Sequence, residues 1–349
     1  MGQSPSSKNY TENPEDMVLI QGNADLSNGK IKPRLFTTEI TKKSIKNDII
    51  MTVRAPVGDL AINEHDACIG RGVCAIRSGN NKFVYYLLEN IKQKHIWERL
   101  SQGSTFESIN SDDIKNLKIN IPSLLEQDKI ANFLTKIDEK IDLLEKKLVL
   151  YQKFNESMKE ELFTNFEPYT KLRLNKFLKE SKIKSKDNIN RRLTVKLNLK
   201  GITKREVKSV EKEGATTQYL RKEGQFIYGK QNLHKGAFGI IPKELDNYLS
   251  SSDIPSFDFI EDTVNPMWFY FYFSRKSFYI KLERFSIGTG SKRISPDEFL
   301  NIQISIPELT IQNKQAEFLN NLNKKENVLK NEISSMKIYK KYLLQKMFV

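Results

Sequence analysis

The sequence repeats itself at a shift of 185 residues, and each copy runs out into a long heptad helix. Gly103–Phe163 aligns on Gly288–Phe348 without a gap. Gly103 falls on Gly288, Ile109 on Ile294, Asp112 on Asp297, Asn116 on Asn301 and Ile121-Pro122 on Ile306-Pro307. Further along, Gln127 falls on Gln312, Lys129 on Lys314, Phe133-Leu134 on Phe318-Leu319 and Phe163 on Phe348. Two long copies cannot make a solenoid, which stacks several short ones. They predict a pseudo-twofold α+β molecule in the order globular unit, helix, globular unit, helix. Such a molecule can engage two similar sites at a fixed separation.

The helices are the clearest elements. Ile130, Leu134, Ile137, Ile141, Leu144, Leu148, Tyr151, Asn155, Met158 and Leu162 alternate spacings of four and three, the seam of a coiled coil. Leu319, Leu322, Glu326, Leu329, Ile333, Met336, Lys340, Leu343 and Met347 keep the same register. At ~1.5 Å per residue each seam runs about 50 Å. Neither stripe can stay in water, and the nearest partner for each is the other repeat's helix. Docking on another protein or on a second copy is the alternative. The polar interruptions Asn155, Glu326 and Lys340 sacrifice stability and suit a role in fixing register. A twofold relation makes the helices antiparallel, with the heads tens of ångströms apart. The domains read as residues 1–121 (first head), 122–166 (first helix), 167–306 (second head) and 307–349 (second helix).

The heads read as mixed α/β. Ile49–Val53, Leu60–Ile62 and Val73–Ile76 look like strands in the first, followed by a helix over Phe83–Gln93. In the second, Gln225–Tyr228 and Ala237–Ile241 are strand-like, and Pro266–Lys276 takes the place of that helix. Each head closes with a polar glycine-containing loop, Ser101–Thr105 and Ser286–Lys292. A short strand ending in Ile-Pro then leads into the long helix, with Pro122 and Pro307 at its start. Residues 1–80 and 169–265 do not align convincingly, as two readers of different half-sites would require.

A chain of 349 residues suits about two domains, and 38% hydrophobic with 29% charged residues is a globular composition. No apolar run approaches the ~20 residues of a membrane span, and Met1–Tyr10 has no signal-peptide core, so a cytoplasmic location is expected. The two cysteines, Cys68 and Cys74, are too few for a disulfide scaffold and fit strand packing. A net charge of +14 favours a polyanionic partner, although an AT-rich gene would also enrich Lys, Asn and Ile.

Catalytic motifs are missing. Asn265-Pro266-Met267-Trp268 is one residue short of the Asn-Pro-Pro-aromatic motif of amino-methyltransferases. Phe285–Gly290 is a near miss of a cofactor-binding glycine loop, and it follows a basic aromatic segment rather than a buried strand. Cys68–Cys74 offers no metal spacing, and His65, His95 and His234 form no local motif. The expectation is no catalytic residue, no metal and no cofactor in this chain.

Basic clusters carry more promise. The first head offers Lys30, Lys32, Arg34, Arg54 and Arg71, with Gln102, Ser104 and Thr105 in the neck loop. The second offers Arg191, Arg192, Lys204, Arg205, Arg221, Lys230, Gln231, His234 and Lys235, with Lys292 and Arg293 at its neck. Lys and Arg neutralise phosphates, whereas Arg, Gln and Asn can read base edges. Tyr219, Phe226 and Tyr228 are interleaved but fit the core better.

These features together resemble the specificity subunit of type I restriction–modification systems. The residues that carry the resemblance are Gln102-Gly103-Ser104-Thr105, Ile119-Asn120-Ile121-Pro122, Gln127–Leu134 and the Ile137–Leu148 heptads. The second copy runs Ile304-Ser305-Ile306-Pro307, Gln312-Asn313-Lys314 and Phe318-Leu319. Met1–Pro5 also resembles a family loop, and the likeness spans essentially the whole chain. It implies two target-recognition domains on double-stranded DNA, each reading one half of a bipartite site, with antiparallel helices as the ruler. It implies partners too: two methyltransferase subunits that hold S-adenosylmethionine and methylate adenine, and motor–nuclease subunits that cut. Family members usually carry a short strand before the Gly-Gln-Ser-Pro loop. The second head has its equivalent at Tyr169–Leu178, whereas here Met1 sits on the loop, so the first head is expected to lack its opening strand. A coiled-coil adaptor with incidental charge, and a self-contained DNA methyltransferase, are the competing readings.

Overall fold

The computed structural model describes all residues except 102–107, 165–169, 208–212, 215, 287–291 and 349. Two compact units emerge, Met1–Lys146 with Asn331–Val349, and Lys147–Lys330, so the division falls inside both long helices.

In the first unit, β1 (Ile49–Thr52) lies between β2 (Leu60–Ile62) and β3 (Val73–Ile76), antiparallel to both. Lys30–Ile31 continues the sheet beyond β2 and turns back to Leu26–Ser27 through Asn28-Gly29. Both turn residues have positive φ, the conformation this dipeptide favours in tight hairpins. A second five-stranded sheet contributes Ile20, Ala67 and Ile69, which pack on Ile50 and Val73. Helix α1 (Asn81–Gln93) carries Phe83, Leu87 and Ile91 at helical spacing and lays them against Ile49 and Met51. Cys68 and Cys74 lie buried in strands, as the packing role requires, and burial pushes the Cys74 thiol up to about 11.

The long helix α2 (Leu124–Leu162) starts two residues after Pro122. In the second unit come β4 (Thr170–Arg173), β5 (Leu178–Ser181), β6 (Phe226–Tyr228), β7 (Phe238–Ile240) and β8 (Ser256–Phe259). Helix α3 (Pro266–Phe273), β9 (Gln303–Ile306) and the second long helix α4 (Leu309–Met347) follow. The sheet order β5-β8-β6-β7 contains the same three-strand core as β3-β1-β2. Phe226, Phe238, Phe257, Phe269, Phe273 and Phe299 fill this head, all wholly buried. Helix α3 stops earlier than Lys276. Arg275 turns extended there and folds its guanidinium over the Tyr272 ring at 4.2 Å.

Pairing of the long helices is antiparallel within each unit. In the first, Ile130, Leu134, Ile137 and Ile141 share a core with Met336, Leu343, Leu344 and Phe348. In the second, Tyr151, Met158 and Leu162 share one with Leu319 and Leu322. Leu144, Leu329 and Ile333 are buried, and Leu148 is half-buried. One position departs from the heptad reading. Leu344, not Leu343, is the wholly buried leucine of the last turns, because that stretch faces the head as well as the other helix. The polar interruptions find partners. Asn155 Nδ2 and Gln152 Nε2 donate to the Glu326 carboxylate at 3.1 and 3.0 Å. Lys340 Nζ sits between Glu89 at 2.9 Å and Asp138 at 2.8 Å.

The repeat is physical, not only textual. Gln127 Nε2 donates to Pro122 O at 3.0 Å, and Gln312 Nε2 to Pro307 O at 2.8 Å. Asn80 caps α1 and bonds Asp128 at 2.7 Å; Asn265 caps α3 and bonds Asn313 at 2.7 Å. Phe83 meets Phe348 with ring centroids 5.3 Å apart, and Trp268 meets Phe163 at 5.5 Å. Each head is thus closed by the far end of the other repeat's helix.

The expected short strand before each helix appears once. Gln303–Ile306 is a strand because β4 pairs along its whole length. Residues 118–121 of the first head have no such partner among the described residues and form no strand.

Candidate nucleic-acid interface

The two neck loops are hung in the same way. In the first head, Ile109 N–H donates to Val53 O at 3.0 Å, just beyond residues 102–107. In the second, Ile294 N–H donates to Lys230 O at 3.0 Å, just beyond residues 287–291. Gln102, Ser104 and Thr105 lie outside the described residues, but the anchor points of both loops are fixed by the end of each head's central strand.

Cations collect around those anchors. Arg54 is exposed next to Val53 and bridges to Ser108. Val53 N–H donates to Gly72 O at 2.9 Å, which brings exposed Arg71 to the same end of the sheet. Arg71 stands between Gly70 and Gly72, its own N–H donating to Ser4 Oγ at 3.1 Å. Buried Asp25 accepts from Gln21 N–H at 2.8 Å and from Arg34 Nε at 2.9 Å, and Gln21 abuts Gly70 and Gly72. Gln21 thus links the Asp25–Arg34 pair to the glycines that flank Arg71. Lys32 is exposed nearby in sequence. Lys30 does not join them: its ammonium pairs with Asp142 on α2 at 2.8 Å, tying head to helix.

In the second head, residues far apart in sequence converge. Lys230 and Arg293 both engage Asp253, the first through its N–H at 3.0 Å and the second through Nη1 at 3.2 Å. Lys292 pairs with Glu283 at 2.9 Å and, with His234 near by, holds that carboxyl below the usual range. Burial depresses His234 against the opposing pull of the Glu283 carboxylate, with Lys235 and Lys292 adding to the depression, which favours the neutral ring. Gln231 and Lys235 are exposed on the same segment. A hairpin of Leu193–Val195 and Ile202–Lys204 brings its tip to this segment, Asn198 and Leu199 N–H donating to Lys235 and Gly236 carbonyls at 2.9 Å. Its base carries exposed Arg191, Lys204 and Arg205.

Two expected contacts are internal. Arg192 is buried and grips Asp187, with Nε to Oδ1 at 3.0 Å. Arg221 is 1% exposed and donates to Ser250 Oγ, Ser181 O, Ser256 Oγ and Ile254 O at 2.7–3.1 Å. Burial pulls its guanidinium down to about 10. Neither presents its charge to a phosphate: Arg192 is buried against the Asp187 carboxylate, and Arg221 is enclosed by four oxygen acceptors. Phe226 and Tyr228 are wholly buried, as their core reading required, and Tyr219 is half-buried.

The near-miss methyltransferase motif has a structural explanation. Asn265 Oδ1 accepts from Trp268 N–H at 2.9 Å and the Pro266 ring opens the helix, so the residues that would grip a flipped base form a helix cap. Asn80 is the position that sequence reasoning passed over, and Asn265, Gln127 and Gln312 were singled out there without the capping and anchoring roles they hold. Their signal was their recurrence at the same offset. No helix among the described residues is long and apolar enough to cross a membrane.

Residues 1–150 and 171–335 both match the type I restriction modification DNA specificity domain. The chain is 38% identical over 168 residues to a putative type I restriction enzyme specificity subunit of Methanocaldococcus jannaschii, covering 47% of this chain and 39% of that protein. A second specificity subunit of that organism is 29% identical over 127 residues, 36% of this chain and 29% of its own length. The chain thus spans well under half the length of these relatives. A crystal structure of a type I restriction–modification S subunit from M. genitalium matches the whole chain and 92% of its own, with a TM-score of 0.59 at 17% identity.

Proposed function

Since this chain belongs to the type I restriction–modification DNA specificity family, we propose that it reads a bipartite double-stranded DNA site, one head per half-site. The observation that carries the reading is the clustering of cations where each head's central strand ends, beside the Ile109–Val53 and Ile294–Lys230 main-chain bonds. Arg54 and Arg71 serve one half-site, and Lys230, Gln231, Lys235, Lys292 and Arg293 the other. Different faces on similar frames give different half-sites. The paired helices act as the spacer.

Methylation and cutting belong to partners. Two methyltransferase subunits would bring S-adenosylmethionine and the adenine chemistry, and motor–nuclease subunits the cleavage. This chain supplies position and sequence, and its Asn265 motif is spent on capping a helix. Calorimetry of the chain alone with S-adenosylmethionine should give no binding heat; binding would favour a self-contained methyltransferase.

Titrating the full chain with duplex DNA between 50 and 200 mM salt tests the electrostatic half of the proposal. About 6–10 phosphate contacts predict a loss of roughly 10³–10⁵ in affinity. The Arg54→Gln, Arg71→Gln pair should lower the salt slope by about 2, one per contact removed. A salt-insensitive complex would point to an adaptor whose charge is incidental.

A further inference from the structure

A cleft of about 550 Å³ opens in the first unit between the hairpin over residues 26–31, α1, α2 and α4. Ile62, Ile141 and the Tyr85 and Tyr86 rings give it apolar walls. Six carboxylates and five ammonium groups also line it, so one negative charge is left over. Two pairs are closed, Lys30 with Asp142 at 2.8 Å and Lys337 with Glu145 at 2.6 Å. Glu64, Lys82, Glu139 and Lys341 are exposed at the rim, where water and salt screen them. Inside, Lys340 is shared: its Nζ stands 2.9 Å from Glu89, 2.8 Å from Asp138 and 5.3 Å from the centre of the Tyr86 ring.

Helix α1 turns a stripe of acceptors to this cleft. Tyr85, Glu89 and Gln93 recur every four residues and so share one face. Gln93 Oε1 is buried and has no donor among the described residues. Tyr85 Oη makes no hydrogen bond among them either. Gly29 gives that hydroxyl its room, since a Cβ there would stand 2.6 Å from the oxygen. Burial raises the Glu89 carboxyl even with Lys340 beside it, as it does for a charge short of a counter-ion.

The shared frame does not call for these groups. At a shift of 185 residues, Tyr85, Glu89 and Gln93 become Tyr270, Ser274 and Phe278, while Asp138 and Lys340 exchange with Asn323 and Asn155. The second head fills the place with rings. Tyr270 packs on Phe238 with centroids 6.3 Å apart, and Phe278 on Tyr272 and Phe273 at 4.9 and 5.0 Å. One copy thus closes this junction by aromatic packing, whereas the other keeps it open, polar and one positive charge short.

We propose that the cleft of the first head binds a small aliphatic amine, its ammonium held by Glu89, Gln93 Oε1 and Tyr85 Oη and its carbon chain laid on Ile62 and Ile141. The arriving charge is the one that two carboxylates on a single ammonium lack, and the acceptors of α1 are the partners an N–H donor needs. The tyrosine rings add the attraction of an aromatic face for a cation. A neutral alcohol of the same shape brings no charge, and a sodium ion brings no chain. The site does not rest on the DNA reading, and its test contains no DNA.

The test follows amide hydrogen exchange of the full chain during titration with butylammonium chloride at constant ionic strength, with sodium chloride and butan-1-ol as controls. Exchange over residues 85–93 should slow saturably, by about threefold or more, while residues 270–278 stay unchanged. Glu89→Gln should raise the half-saturation concentration by about tenfold, since it removes the charge the ammonium meets. Where that variant fails to fold, Gln93→Leu, which deletes one acceptor at the edge of the cluster, should raise it by about threefold. Equal slowing by sodium chloride would reveal charge screening, and equal slowing by butan-1-ol an apolar crevice. Either result overturns the proposal, as does a half-saturation that neither substitution moves.

Discussion

Arg192 and Arg221 look in the sequence like any other cations of a basic head, yet both point inward. What separates them from Arg191 or Arg205 is tertiary: a guanidinium enclosed by Ser181, Ser250, Ile254 and Ser256 is a brace between strands. Charge counting reads the sum and cannot see which fork is filled. Arg221→Ala should cost about 3 kcal/mol of second-head stability in urea unfolding, since it strands buried acceptors. Loss of DNA affinity with stability unchanged would instead restore it to the interface. Asp48 makes the matching case in the first head. Burial alone would raise its pKa, but Arg77 Nε at 2.7 Å, the Ile45 N–H and Ser44 outweigh burial and hold it below the usual range. A folded-state value below the unfolded one means its stabilisation is present above about pH 4 and lost as pH falls through the folded value. Asp48→Asn should cost about 2 kcal/mol at pH 7 and flatten the acid limb of first-head unfolding between about pH 5 and 2. An unchanged acid limb would show that other carboxylates govern it.

At the scale of elements, the long helices were legible because a seven-residue period over 39 residues leaves little else to build. The seam blurred only at Leu343 and Leu344, where the helix meets a head and the buried face widens beyond a two-helix stripe. Strands were legible where both faces are buried, as in β1 to β3. Residues 118–121 carry the same Ile-x-Ile pattern as β9 and are not a strand, because pairing depends on a partner that local sequence does not contain. The crosswise closure of the heads was also out of reach, since it is made by residues 265 positions apart in the first head (Phe83, Phe348) and 105 apart in the second (Phe163, Trp268). It yields a selective prediction: Phe348→Ala should destabilise the first head and Phe163→Ala the second, each by about 3–4 kcal/mol. Hydrogen exchange resolved by head would check it. Equal loss in both heads from either change would mean that closure is not crosswise.

For the whole molecule, the gapless repeat gave both the family resemblance and the architecture of alternating heads and helices. The interface was legible as clusters and not as residues. Arg54 and Arg71, or Lys230 and Arg293, come to the same end of a head only through strand ends distant in sequence. Lys30, from the same basic run as Arg34, is instead paired with α2. The measurement that bears most directly on the central claim is a single-molecule methylome of the host strain with and without this gene. Deletion should erase one adenine-methylated, two-part motif, and Arg54→Gln with Arg71→Gln should disturb one half of it while leaving the other intact. A methylome unchanged by deletion would contradict the reading of this chain as the part that directs a methyltransferase to its site.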